Sequence, residues 1–354
     1  MQVLPYGDLA YVAHLGPSGT DIVDIRDPRH PALLTNIPAP PGTHSHKVQT
    51  GNGLLLVNRE RWQNSPTWTA GFDVYDIANP REPRLIAEWR TPGSGVHRIW
   101  FTDDSPLAYI SASVPGFTNR ILVILDLSNP SVPREIGRWW LPGMNVTAGE
   151  TPTWDPNREC LCHHAVVHGN RAYVSWWDLG MVILDVSDPA QPGLVAHLTF
   201  PPNESGATHS VLPLGGWLAV ADEAIEPWPE TPVKRMRLID ARDERRPRVR
   251  TLFPEPADAA ECRTPGLRYG PHNFHENRPG TFRSKTQIFA TYYSAGLRGY
   301  EIAPDGSIQE NTRFLPPTQP GQAAAQSNDL VVREDGLILV TDRVSGGLTV
   351  AGIQ

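Results

Sequence analysis

Apolar residues in this chain come in short runs that alternate or cluster, and turn residues break each run before a helical period develops. The clearest stretch begins His164-Ala-Val-Val-His168 and reads on through Gly169-Asn170, Arg171-Ala-Tyr-Val-Ser175, Asp178 to Gly180, Met181-Val-Ile-Leu-Asp-Val-Ser-Asp-Pro189 and Gly193 to Phe200. Gly169-Asn170 is a tight hairpin signal, Asp178 to Gly180 separates a second pair, and Ser187-Asp188-Pro189 ends a third run. The pattern predicts four short strands per unit and very little helix.

The third strand and its turn recur as Ile22-Val-Asp-Ile-Arg-Asp-Pro28, Phe72-Asp-Val-Tyr-Asp-Ile-Ala-Asn-Pro80, Leu122-Val-Ile-Leu-Asp-Leu-Ser-Asn-Pro130, Val182 to Pro189 and Arg237-Leu-Ile-Asp-Ala-Arg-Asp243, with a weaker copy at Gly299 to Pro304. By subtraction of positions, the strand acids Asp24, Asp76, Asp126, Asp185, Asp240 and Glu301 recur every 50 to 61 residues. Four strands and four turns fit that period, the size of a β-propeller blade. A carboxylate just before an Asn/Asp-Pro turn accepts backbone hydrogen bonds, so these acids read as structural.

The strand-turn motif resembles the LVIVD repeat. That resemblance implies an all-β fold over 1–354, a single seven-bladed β-propeller with four-stranded blades near 1–42, 43–93, 94–144, 160–202, 206–255, 269–318 and 326–354. The last copy departs from it: Leu337 to Thr341 and Leu348 to Ile353 supply its second and third strands, and the chain ends before a fourth.

Five histidines open the first strand of successive repeats: His46-Lys-Val, His97-Arg-Ile, His164-Ala-Val, His209-Ser-Val and His272-Asn-Phe, with Asp329-Leu-Val in the same register. Because first strands line the channel of a propeller, the resemblance implies that His46, His97, His164, His209, His272 and Asp329 form a ring. Imidazoles with one carboxylate suit a divalent transition metal, iron first and then manganese, copper or zinc, whereas calcium and magnesium prefer oxygen shells. The alternative is a polar, water-filled plug.

The same topology brings turn residues to the ring's face. Glu223 and Asp178 are candidates for a general base or for orienting a ligating imidazole. Arg343 and Arg59 are candidates for holding an anionic substrate group, and Trp62, Trp176, Trp177, Tyr292 and Tyr293 for stacking on an apolar one. His44, His163 and His275 neighbour ring positions but fall outside the register. Cys160 and Cys162 precede His163, and buried or loop thiols are the simpler reading of them.

Composition changes this picture little. Thirty-six Pro and 30 Gly suit a turn-rich β fold, and a net charge of −7 without a strong block of one sign argues against nucleic-acid or membrane partners. The cluster Arg242, Arg245, Arg246, Arg248 and Arg250 is interleaved with acids and reads as a solvated edge. Three cysteines, an odd number, and an opening without a leader pattern predict a cytoplasmic setting. No nucleophile elbow, phosphate-binding loop or His-Glu-x-x-His helix is present.

These residues support two functions. One is a metal-dependent enzyme acting on a small organic molecule, as an oxygenase or oxidase or as a metal-assisted hydrolase or lyase. In ligand logic it is similar to propeller oxygenases with four histidines on iron and to the selenium-binding protein and methanethiol oxidase group, an analogy that transfers no substrate. The other is a non-catalytic binding or scaffold propeller with a histidine-lined channel. The pattern does not address oligomeric state.

Overall fold

Successive hairpins turn the alternating runs into antiparallel sheets in which neighbours in sequence are neighbours in space. The computed structural model describes residues 1–204 and 206–352; Ser205, Ile353 and Gln354 lie outside it, including the expected end of the last strand at Ile353. Helix is confined, among the described residues, to Ala259–Cys262 and two short 3-10 turns. None is long and apolar enough to cross a membrane. The succession of seven antiparallel sheets is that of a seven-bladed β-propeller.

Two compact units divide the chain, 1–167 with 186–193, and 168–185 with 194–354. In the first unit the first sheet runs Gln2–Tyr6, Leu9–Ala13, Thr20–Asp24, Ala32–Ile37, and the third runs Val96–Trp100, Leu107–Ala112, Ile121–Asp126, Arg134–Trp139. In the second sheet the first strand is interrupted: Thr43–His44 and Val48–Gly51 both pair with Leu54–Arg61, followed by Gly71–Asp76 and Arg84–Arg90. Alternate residues of the first two sheets, among them Tyr11, Ile22, Val48, Leu55 and Val57, interdigitate as one apolar cluster.

The second unit pairs Arg171–Ser175 with Met181–Asp185, then builds a fifth sheet from Thr208–Leu214, Trp217–Asp222, Met236–Asp240 and Arg248–Leu252. The sixth has Gln287–Thr291, Leu297–Ile302 and Ile308–Phe314 as regular strands. Its fourth member is the irregular segment 272–275, which exchanges backbone hydrogen bonds with Thr291 and Phe289. The seventh has three strands among the described residues, Ser327–Val332, Leu337–Asp342 and Leu348–Gly352.

At the strand-end acids the backbone explains the repeat. Asp24, Asp76, Asp126 and Asp240 each accept the N–H two residues on, from Arg26, Ala78, Ser128 and Arg242. Within the turn, Asp27, Asn79, Asn129 and Asp243 do the same for Arg29, Arg81, Ser131 and Arg245. Two consecutive Asx turns give each of these outer hairpins one geometry, with a proline after the second Asx residue at 28, 80 and 130 and Glu244 in its place in the fifth sheet.

A bulge recurs where the first strand meets the second. Register slips between Val96 and Arg98 at His97, between Thr208 and Ser210 at His209, and between Ser327 and Asp329. In the second sheet His44 faces Glu60 while Val48 faces Val57, so three residues, Ser45 to Lys47, oppose two. An inserted residue locally breaks the ladder and re-aims its side chain, which turns these histidines off the ordinary alternation of the pleat.

Candidate functional site

Each unit carries one buried carboxylate surrounded by imidazoles. In the first it is Glu60, near the end of the strand Leu54–Arg61. His97 Nδ1 donates to Glu60 Oε2 at 2.9 Å, His44 Nε2 donates to it at 3.1 Å, and Arg120 Nη1 reaches Oε1 at 3.3 Å. His46 Nε2 lies 3.7 Å from Oε2, beyond hydrogen-bond range, with its ring stacked on His44 at a centroid distance of 4.0 Å. Trp62 closes the far side of His44 at 4.9 Å. His97 Nε2 faces His163 Nε2 at 3.0 Å.

Protonation follows from these contacts. Burial alone would raise the Glu60 carboxyl, but the charge of His97, hydrogen bonds from His44 and His97, and Arg120 hold it well below the usual carboxylate range. Burial is the main cause that pushes His97 down to about 3, against the pull of Glu60. Burial likewise drives His46 and His163 well below the ordinary imidazole value, helped by neighbouring positive charge. Cys162, pushed up to about 12 by burial, stays a thiol.

In the second unit the carboxylate is Glu223, just past the strand Trp217–Asp222. Its Oε1 accepts from Arg268 Nη1 at 2.9 Å and from the Tyr293 hydroxyl at 2.9 Å. His209 Nε2 lies 3.6 Å from Oε2 and His272 Nε2 3.6 Å from Oε1, with the two rings 4.2 Å apart. These separations are too long for hydrogen bonds. They approach the edge of a coordination polyhedron: ligand atoms about 2.1 Å from a tetrahedral ion lie roughly 3.4 Å apart.

The far sides of these two imidazoles suit the same role. His272 Nδ1 meets the Asn328 carbonyl oxygen, which only accepts, and this contact is shorter than the 3.0 Å to Asn273 Nδ2. His209 Nδ1 lies 2.8 Å from Ser210 Oγ. A proton held at Nδ1 by a carbonyl or hydroxyl leaves the lone pair at Nε2, the usual arrangement around a metal-ligating imidazole. Burial, then Glu223, keeps the Tyr293 phenol protonated by pushing its pKa up.

The other predicted residues lie as follows. His164 opens its strand and packs near Trp100, ring centroids 6.4 Å apart. Asp329 is buried in Ser327–Val332, opposite Thr341. Asp178 accepts the Ala207 N–H at 2.8 Å, and Arg343 donates to Asn328 Oδ1 at 3.1 Å. Arg59 is buried against Asp73 at 2.7 Å and donates to Ser45 Oγ and the Tyr75 hydroxyl. Trp176 and Tyr292 are buried, the latter edge-on to Tyr269 at 5.3 Å. Trp177 and Tyr293 hold positive φ angles of 44° and 39° in their turns. Tyr293 thereby lies 4.9 Å from His272.

Residues that the register passed over complete the clusters: His44 and His163, with Glu60, in the first, and Arg268 in the second. The double histidines His44-x-His46 and His163-His164 were a usable signal, because a neighbour of a register position can join the same cluster, as His44 does across a bulge and His163 does against His97. Arg120 and Arg268 carried none, since neither belongs to a repeat motif. The ligand atoms of His44, His46 and Glu60 lie within 4.8 Å of one another, and a second group that could hold a metal ion includes His209 and Glu223.

The LVIVD repeat model matches residues 1–37, 116–139 and 164–199. By fold, the chain is similar to the periplasmic gluconolactonase of Pseudomonas aeruginosa, at 12% identity and a TM-score of 0.59, covering 98% of this chain and 95% of that one. It is similar to a hypothetical selenium-binding protein from Sulfolobus tokodaii, at 13% identity and a TM-score of 0.60, covering 98% and 90%. A protein from Lactobacillus plantarum aligns at 11% identity and a TM-score of 0.60, covering 97% and 94%. At such identities the likeness is one of fold. No curated protein matches the sequence. The matched LVIVD repeats and the seven antiparallel sheets agree on a seven-bladed β-propeller.

Proposed function

We propose that this propeller is a metal-dependent enzyme acting on a small organic molecule, with His209, His272 and Glu223 holding a divalent transition metal. The observation that carries the reading is the 3.6 Å spacing of both imidazole Nε2 atoms from the Glu223 carboxylate. Two imidazoles and one carboxylate leave coordination positions open, and a metal so held supplies Lewis-acid or redox chemistry to a substrate oxygen.

The chain's own residues do the rest. Arg268 and the Tyr293 hydroxyl fix Glu223 Oε1, beside which His272 lies, and leave Oε2 to face His209. The Asn328 carbonyl and Ser210 Oγ orient His272 and His209. The Tyr293 ring beside His272 forms an apolar wall for a substrate. The same ligand set serves metal-assisted hydrolysis and oxygen chemistry; likeness of fold to a gluconolactonase favours the first.

Elemental analysis of protein purified without added metal or a histidine tag tests the reading. About one zinc, manganese, iron or copper per chain supports it, and its redox character selects the chemistry. No metal, with none taken up on reconstitution, turns the reading to a binding propeller with a polar histidine lining.

A further inference from the structure

His46 shares the register of His209 and His272, but its surroundings give it the opposite hydrogen-bonding character. Asn58 lies behind it, and two backbone contacts fix the orientation of the Asn58 amide: Oδ1 accepts the Lys47 N–H at 2.8 Å, and Nδ2 donates to the Val96 carbonyl at 2.8 Å. A flipped amide would set oxygen against oxygen and N–H against N–H. The remaining Nδ2 hydrogen points at His46 Nδ1, 3.1 Å away. That nitrogen must therefore accept, and the ring proton resides on Nε2.

The Nε2–H so defined is buried and, among the described residues, without a hydrogen-bond partner. Glu60 Oε2 lies 3.7 Å from it and already receives His97 and His44. A buried donor left unmatched is costly, on the order of 1–3 kcal/mol, so its occurrence beside a carboxylate cluster points to an acceptor supplied from outside. A nitrogen that carries a proton cannot ligate a metal through the same atom.

We propose that the Glu60 cluster is a seat for an uncharged oxygen of a small ligand, a carbonyl, with His46 Nε2–H as its donor. The ionised Glu60 beside the seat disfavours a carboxylate or phosphate there. Asn58 is the positioning residue, acting through His46. This seat does not rest on the metal assigned to His209, His272 and Glu223, and its test is separable from that reading.

The test is nitrogen-15 NMR of the imidazoles in the metal-free, full-length protein, with the His46 signals assigned by their loss in His46→Gln. The expected state is Nε2–H with an unprotonated Nδ1; an Nδ1–H tautomer overturns the proposal. Asn58→Asp, which accepts where Asn58 donates, moves the proton to Nδ1 if the lock is as described. Zinc alone as the probe shifts His209 and His272 and leaves the His46 Nε2 proton in place; loss of that proton overturns the seat. Failure of zinc to bind at all tells against the metal reading only. Titration with a neutral lactone, δ-valerolactone, shifts the His46 Nε2–H saturably and at least about tenfold more tightly than acetate. No lactone response, or an equal response to acetate, refutes the carbonyl seat.

Discussion

Glu60 and Glu223 occupy corresponding points of the second and fifth sheets, and the two surroundings differ in what the carboxylate is given. Glu60 receives N–H groups at 2.9 and 3.1 Å and is closed by them, whereas Glu223 keeps its two imidazole Nε2 atoms at 3.6 Å. Asn58 faces the bulge that carries His46, and Ala221 holds the equivalent place facing the bulge at His209. An amide forces one imidazole to present a proton; an alanine leaves the other to be oriented from Ser210. One β scaffold thus yields two chemistries through the group behind the ring, rather than through the histidine itself.

The strands that carry these carboxylates are braced by one device with its charges exchanged. Arg59 on the second strand pairs with Asp73 on the third in the second sheet, and Asp222 pairs with Arg237 in the same way in the fifth, both at 2.7 Å and buried. The cross-strand offset is identical, since Asp73 faces Val57 and Arg237 faces Val220, each two residues before its partner. Arg59, a candidate for substrate binding by residue type, is engaged in this brace.

The largest effect expected is on metal. Glu223→Gln or His209→Ala takes bound metal from about one per chain to none with the far-ultraviolet β signal intact, while His46→Ala leaves the stoichiometry unchanged. Equal loss in His46→Ala would erase the contrast between the clusters.

The braces come next. Arg237→Ala leaves Asp222 buried with its charge uncompensated by that partner, a change that costs about 3–5 kcal/mol in denaturant unfolding. Arg59→Ala costs less, because Arg90 Nη2 remains 2.6 Å from Asp73. Equal losses would show that Arg90 does not compensate.

Acid has a gentler effect. His97, depressed to about 3, and His275, depressed to about 4 chiefly by burial, bind protons in the unfolded chain before the folded one. Glu60 is depressed in the same direction. The histidines' contribution is present above the unfolded imidazole value of about 6.5 and is lost as pH falls toward their folded values, whereas that of Glu60 is lost only below the unfolded carboxylate value of about 4.3. Thermal melts from pH 7 to 4 should therefore decline, and His275→Asn should flatten the decline; an unchanged slope would refute its share. Smallest of all, Asp126→Ala at an outer turn should cost at most about 1 kcal/mol, since its ion pair with Arg134 is exposed at 3.3 Å and one backbone N–H is the main loss.

The turn chemistry was legible in the sequence because Asx-Pro turns act through residues adjacent in the chain. The histidine register was legible too: His46, His97, His209 and His272 all stand where first strands begin. What the register did not reveal is which neighbour faces inward. His44 does, because a bulge adds a residue and shifts the pleat, and no pattern of period two anticipates that shift; His163 meets His97 from just before its strand begins. The assignment of Arg59 to substrate failed to anticipate Asp73, a partner 14 residues away on the adjacent strand.

By itself, then, the sequence determined the seven-sheet β architecture, the repeated strand-turn unit and the positions at which imidazoles gather, since all three depend on local periodicity and turn residues repeated along the chain. Only the tertiary structure decided the protonation and pairing of those imidazoles. Whether Nε2 presents a proton or a lone pair depends on Asn58, the Asn328 carbonyl and Ser210, and whether a carboxylate is closed or open depends on ångström differences in its distances to other strands. Those are through-space quantities, and a linear pattern carries no record of them.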